Sequence, residues 1–205
     1  EHDWEKPSGA VLDHFGLDQV TFLGVSMGGY WCLRAAAFEK RIQRVIAFPP
    51  VYDWLEITPG PIRALVNLLM RFPKFMNLLT EMKRSNPRMN QIIQQAIFIS
   101  GGDQALDAVR WMLGMNQNHL NSKRVTQDVL LLGGENDAFQ PPVLLKKQAE
   151  ALTAARSLVT RVFTREEEAD QHCQMGNLGL AVKVMLEWLD TFPGTHSVST
   201  EKEAV

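Results

Sequence analysis

A serine hydroxyl is a weak nucleophile until a base takes its proton. One serine in this chain stands where such activation is expected: Ser26, within Gly24-Val25-Ser26-Met27-Gly28-Gly29. A short β-rich run precedes it and a run of helix formers follows. The G-x-S-x-G spacing has a mechanical reason. A serine on a tight, strained turn lifts its hydroxyl off a sheet edge, and side chains two positions away on either side are expected to collide there. The helix that follows aims its N-terminus at the site, so the N–H of Met27 is placed to hold an oxyanion. The plainer alternative is an ordinary strand-to-helix turn.

Where a serine stands on such a turn, its partners follow in the order acid, then histidine, each on a loop after a later strand. The chain has five histidines. His2 and His196 lie near the ends, His14 precedes the serine, and His119 falls in a helical stretch far from any strand end. His172 lies after the last strand-like run, in Ala169-Asp170-Gln171-His172-Cys173-Gln174-Met175-Gly176-Asn177, and is the expected base. For the acid, Asp137 in Gly133-Gly134-Glu135-Asn136-Asp137-Ala138-Phe139-Gln140-Pro141 competes with Glu135 and with Asp53 beyond the second strand. Its task would be to fix the imidazole tautomer and steady the imidazolium. The losers would be turn carboxylates or helix caps.

The elements that must position these groups alternate. Lys6–Phe15 reads as an amphipathic helix with Val11, Leu12 and Phe15 on one side, ended by Gly16. Gln19–Gly24, Arg44–Phe48, Val129–Leu132 and Leu158–Phe163 read as strands, with helices expected over Trp31–Phe38, Pro142–Ala154 and Met175–Leu189. Strand and helix in alternation predict an α/β fold with a mostly parallel sheet covered on both faces. Residues 51–125 break the rhythm. They hold helical runs at Ile62–Met70, Met89–Phe98 and Leu106–Met115, and no comparable β run. The expected organisation is therefore a core from 1–50 and 126–193, a helical cap insertion from 51–125, and a disordered polar tail from 194–205. Six of the nine methionines (Met70, Met76, Met82, Met89, Met112 and Met115) sit in the insertion, either filling gaps between helices or lining an adaptable substrate pocket.

Composition narrows the function classes. At 205 residues and 45% hydrophobic content the chain can bury a substantial core, and a formal net charge of −2 offers no electrostatic footprint for nucleic acid. No apolar run approaches the roughly 18 residues of a membrane span. The opening Glu1-His2-Asp3-Trp4-Glu5-Lys6 lacks an initiator Met and a signal-peptide pattern, and is expected to be a cut from a longer polypeptide. Two cysteines, Cys32 and Cys173, have no metal-site spacing and are expected as free thiols in a cytoplasmic protein. Glu166-Glu167-Glu168 reads as a solvated charge run. No metal, nucleotide or flavin motif is visible, so no cofactor is expected. The expected partner is a small carbonyl or ester substrate, with homo-oligomerisation left open.

The serine turn, the GENDAFQPP loop and the ADQHCQMGNLG segment together resemble one branch of the α/β-hydrolase superfamily. That branch includes 2,6-dihydropseudooxynicotine hydrolase, hydrolases like the fermentation/respiration switch protein, and fungal polyketide-shortening hydrolases. The resemblance covers roughly residues 1–60 and 125–192, and implies Ser26 as nucleophile, Asp137 as acid and His172 as base. It also implies cleavage of a carbon–carbon bond next to a ketone, or of an ester. Strands normally found before the nucleophile, with the loop supplying a second oxyanion N–H, are not in these residues. The strand at Gln19–Gly24 is then expected to present an open, apolar edge, and the 205 residues alone to be at best weakly active. A non-catalytic binding protein on the same fold is the alternative from another class.

Overall fold

The structure is a computed structural model and describes residues 3–56 and 60–193. It begins with helix α1 (Glu5–Phe15), strand β1 (Val20–Val25), helix α2 (Gly28–Ala36) and strand β2 (Ile42–Phe48). Helices α3 (Gly60–Leu69), α4 (Pro73–Lys83), α5 (Pro87–Ser100), α6 (Ala105–Gly114) and α7 (Gln117–Leu120) follow without a strand between them. The chain then returns to strand β3 (Asp128–Gly134), helix α8 (Pro142–Ala151), strand β4 (Ser157–Phe163) and helix α9 (Leu178–Asp190).

The four strands pair in parallel in the order β1-β2-β3-β4. Every residue of β3 is buried, as a near-continuous apolar strand covered on both faces requires. Alternation then sorts side chains to two layers. Val129 and Leu131 join Leu33 of α2, Val45 and Ala47 of β2 and Leu145 of α8 on one face. Leu130 and Leu132 join Ile46, Phe48 and Phe163 under Ala181, Met185 and Trp188 of α9 on the other. At about 25 cal/mol per Å² of apolar area, these two layers are the main source of stability.

β1 lies at the end of the sheet, with Leu23 and Val25 about half exposed. α1 packs beside α2 rather than over that edge. Trp4 stacks on Trp31 with ring centroids 4.6 Å apart, and Glu5 takes a two-pronged ion pair from Arg34 at 2.8 and 2.9 Å. The third arm of this buried guanidinium donates to the His119 carbonyl at 2.7 Å, tying α1, α2 and α7 together. The expected apolar side of α1 is only partly used. Leu12 is buried, while Val11 and Phe15 are exposed. Ser8 and Leu12, four apart, face the core, whereas Val11 lies on the neighbouring stripe and borders a groove with Val20 and Phe22 of β1.

Element bounds differ from the sequence reading where caps decide. α2 starts at Gly28, immediately after the serine turn, instead of at Trp31. α9 starts at Leu178 rather than Met175, because the Asn177 side chain caps the Leu180 N–H and His172–Gln174 forms a short 3-10 turn. α4, which the sequence reading did not single out, opens on Pro73 and carries Phe75, Leu78, Leu79 and Met82 at helical spacing, yet has no buried residue. Among the described residues no helix is long and apolar enough to cross a membrane. Cys32 is a buried free thiol and Cys173 a half-buried one. The tail at 194–205, together with His2 and His196, lies outside the described residues.

Candidate active site

Ser26 adopts φ +54, a left-handed conformation that costs a non-glycine residue roughly 1–2 kcal/mol. The turn is held from both sides. Ser26 N–H donates to the Phe48 carbonyl at 2.8 Å, continuing the β1–β2 pairing, and the Ser26 carbonyl accepts from Gly29 N–H at 2.8 Å.

The glycine logic needs one correction. A Cβ on Gly24 would meet the Gly28 carbonyl oxygen at 2.0 Å and the Cys32 sulfur at 2.7 Å, as the spacing implied. A Cβ on Gly28 would meet nothing within 4 Å, whereas one on Gly29 would strike the Pro49 carbonyl at 2.0 Å. The close approach on the helix side is therefore at Gly29, where α2 crosses the end of β2, and not at Gly28.

The serine Oγ lies 2.9 Å from His172 Nε2. On the far side of the ring, His172 Nδ1 lies 2.8 and 3.1 Å from the two carboxylate oxygens of Asp137. A carboxylate only accepts, so Nδ1 carries the proton in the neutral ring and Nε2 is left to accept from the serine hydroxyl. The Asp137 side chain is fully buried, and its Oδ1 also accepts from the N–H groups of Phe139 and Gln140 at 2.8 and 2.9 Å. A carboxylate with that many donors is locked in orientation. The hydrogen bond that His172 donates to Asp137, helped by the Cys173 side chain, pushes the His172 imidazolium up to about 9.

The loops carrying Asp137 and His172 are fastened to each other. Asn136 N–H donates to the Asp170 carbonyl at 3.0 Å, and the Asn136 amide donates to the Asp170 carboxylate at 2.9 Å. That hydrogen bond holds the Asp170 carboxyl below the usual carboxylate range. Gly134 lets the strands' ends close up, since a Cβ there would lie 2.1 Å from the Asp170 carbonyl oxygen. This clamp between the β3 and β4 loops was not read from the sequence, although both quoted segments contain its members.

The competing candidates are engaged elsewhere. Asp53 caps its own turn, accepting from Leu55 N–H at 2.9 Å and from Gln117 N–H at 3.3 Å. Glu135 is exposed and accepts from Arg165 N–H at 2.8 Å. His14 packs edge-on against Phe15 of α1, and His119 Nδ1 lies 2.9 Å from the Gly114 carbonyl. Cys173 points its thiol towards the Phe48 carbonyl at 3.8 Å, not at Ser26. Glu167 is less solvated than a free charge run: it pairs with Arg161 and caps Thr164 N–H at 2.9 Å.

Ser26 and His172 open onto a cavity of about 340 Å³. Its walls are mostly apolar. Val51 and Trp54 contribute from beyond β2, Ile92, Ala96 and Ile99 from α5, Trp111 and Met112 from α6, and Phe139 and Gln140 from the Asp137 loop. The methionines of the helical stretch thus divide. Met112 lines this cavity, Met76 and Met89 fill a cleft between helices, Met115 is in the sheet's core, and Met82 is exposed. Met27 is the residue immediately before α2, at the helix end where positive potential concentrates.

With this geometry in hand, residues 5–135 match the family described as the alpha/beta hydrolase fold. The alpha/beta hydrolase psoB of Aspergillus fumigatus is 24% identical over 213 residues, covering 92% of this chain and 48% of its own length. The chain thus spans about half the length of that curated relative. A 2,6-dihydroxy-pseudo-oxynicotine hydrolase structure superposes with a TM-score of 0.59 at 22% identity, over 92% of this chain and 46% of that one. The alpha/beta hydrolase GrgF of a Penicillium species gives 0.59 at 15% identity, over 91% and 70%. A monoacylglycerol lipase of Paleococcus ferrophilus gives 0.57 at 20% identity, over 91% and 74%.

Proposed function

The chain belongs to the α/β hydrolase fold family, and from that premise we propose that it is a serine hydrolase acting on a small carbonyl substrate with Ser26, His172 and Asp137. The observation that carries the reading is the unbroken hydrogen-bonded row from Ser26 Oγ through both ring nitrogens of His172 to Asp137, at 2.9 and 2.8 Å. Two thirds of that row could arise in any packed loop. A buried carboxylate, an imidazole and a strained serine in line at the mouth of an apolar cavity have a common use in acyl transfer.

In the proposed first step the serine proton passes to Nε2 as Oγ bonds to the substrate carbonyl carbon. The carbonyl oxygen becomes an oxyanion facing the Met27 N–H, with a second donor assigned by the resemblance to a loop these residues do not contain. Collapse of the tetrahedral adduct breaks the bond to the leaving group, which takes the Nε2 proton. Water, deprotonated by the same nitrogen, then hydrolyses the acyl-serine and restores the hydroxyl. Asp137 remains ionised throughout and stabilises the imidazolium at both stages.

The leaving group separates two readings. A carbon leaving group is tolerable when a neighbouring carbonyl spreads its charge as an enolate, so the substrate would be a 1,3-diketone or a polyketide-like chain. An alkoxide leaving group makes the protein a carboxylesterase. The likeness of the GENDAFQPP and ADQHCQMGNLG segments to the carbon–carbon hydrolase branch favours the first, and the similarity to a monoacylglycerol lipase favours the second. We propose the first, with helices α3 to α7 as a cap over the cavity and the two free thiols fitting a reducing compartment. The test is product analysis with full-length protein: one carboxylic acid and one ketone from a β-diketone support the carbon–carbon reading. Turnover of p-nitrophenyl esters with no β-diketone cleavage makes it an esterase. Neither activity, with no acylation of Ser26, leaves a binding protein.

A further inference from the structure

Buried side-chain amides in this protein are generally satisfied when they serve the fold. Gln127 donates to the Ala36 carbonyl at 2.8 Å and accepts from Thr126 N–H at 2.8 Å. Gln148 bonds Ser122 at 3.0 Å, and Gln174, although its oxygen is unpartnered, still donates to the Gln171 carbonyl at 3.3 Å. Gln140 is different. Its side chain is only 3% exposed, yet neither its oxygen nor its nitrogen has a hydrogen-bond partner. It lines the cavity onto which Ser26 and His172 open, and so does Trp54, whose buried indole N–H is also unpartnered. The other orphaned polar atoms, on Trp31, Arg44, Asn77 and Gln174, belong to residues that do not border this cavity. In a wall whose other residues include Val51, Ile92, Trp111, Phe139 and the exposed Gln95, two residues with buried, unspent hydrogen-bonding capacity mark where a polar part of a ligand belongs.

We infer that Gln140 and Trp54 are specificity-determining residues that recognise a second oxygen function on the substrate, close to the carbonyl that Ser26 attacks. The inference rests on the serine-hydrolase reading and specifies its substrate class. An indole N–H can only donate, and a carboxamide both donates and accepts. Their joint complement is a group that accepts and can also donate: an enolised 1,3-dicarbonyl or a hydroxy-ketone, rather than a plain alkyl chain. A purely aliphatic acyl chain entering the cavity leaves both residues unpaired, and a site built around polar groups discriminates strongly against the analogue that lacks them.

The test compares kcat/KM of the full-length protein on p-nitrophenyl 3-oxopentanoate and p-nitrophenyl pentanoate, which differ by a keto oxygen in place of two hydrogens. The wild type is expected to prefer the oxo ester by roughly tenfold or more. Gln140→Met, which keeps the length and removes both hydrogen-bonding atoms, and Trp54→Phe, which removes the N–H, are each expected to pull that ratio towards one. Fluorophosphonate labelling of each protein checks that Ser26 is still reactive, so that the ratio is read on a working site. If Gln140→Met loses labelling, Trp54→Phe decides. A labelled wild type without preference, or labelled variants that keep it, overturn the inference and leave the hydrolase reading standing. A wild type that is never labelled overturns both.

Discussion

All seven residues of β3 are buried, whereas α3 and α4 together bury none. The two regions have opposite physical properties, and the cavity at Ser26 and His172 is walled on its helical side by α5 and α6, which follow α3 and α4 in the chain. On the sheet side, Ser26, Asp137 and His172 sit on loops whose backbones are pinned by hydrogen bonds to Phe48 and Asp170. On the helical side, Leu65, Leu68, Phe72, Leu78 and Met82 expose about half or more of their surface. Bond-making chemistry demands placement within a fraction of an ångström, which close-packed strands supply. Sparsely packed helices belong to the low-stability part of a fold and can shift. The difference teaches that the loops carrying the residues proposed to react and the helical stretch beyond β2 are built to different tolerances.

The comparison can be broken most severely at the sheet side. Ser26→Ala is expected to lower kcat by about 10⁴-fold or more, measured with the best substrate found. Asp137→Asn should lower it by about 10³- to 10⁴-fold, because an amide can donate to Nδ1 and select the wrong tautomer. A loss below tenfold would mean that Asp137 merely ties its loop. In stability, Leu131→Ala in β3 is expected to cost about 2–5 kcal/mol by denaturant unfolding. Leu78→Ala on α4, at 58% exposure, should stay within about 0.5 kcal/mol. Equal losses at the two positions would erase the contrast between the regions.

The pH dependence sharpens the same contrast. The base must be neutral to accept the serine proton, and pairing with Asp137 moves the His172 imidazolium up to about 9. Activity in kcat/KM is therefore expected to rise with pH along a limb lying well above the 6.5 of an ordinary imidazole, and Asp137→Asn should move that limb to lower pH. The stability linkage has the opposite slope. A raised histidine pKa adds stability that is fully present below about pH 6.5 and is lost as pH rises through about 9. The smallest expected effect is at the serine turn's outer glycine. Gly28→Ala has open space and should change stability little, while Gly24→Ala drives a methyl into the Gly28 carbonyl and should cost several times more.

The three residues proposed to react could be picked from the sequence because chemistry restricts residue type, order and context together. Ser26 needed a strand before and a helix after it, and His172 needed a loop beyond the last strand. The acid was less readable because carboxylates are common in turns. Asp53 and Glu135 satisfy the same local pattern, and only the hydrogen bonds show them occupied with Leu55 and Arg165. The cavity wall was not readable, since burial without a partner at Gln140 is a property of packing and leaves no local signature. The open stretch over Gly28 and the crowding at Gly29 also depend on where Pro49 passes, which no spacing rule contains.

The most direct measurement is intact-mass analysis of the full-length protein after treatment with a fluorophosphonate, followed by peptide mapping. The account predicts a single adduct on Ser26, formed far more slowly in His172→Ala and absent in Ser26→Ala. A protein that stays unmodified, or an adduct formed on Ser26 at the same rate without the histidine, would contradict it.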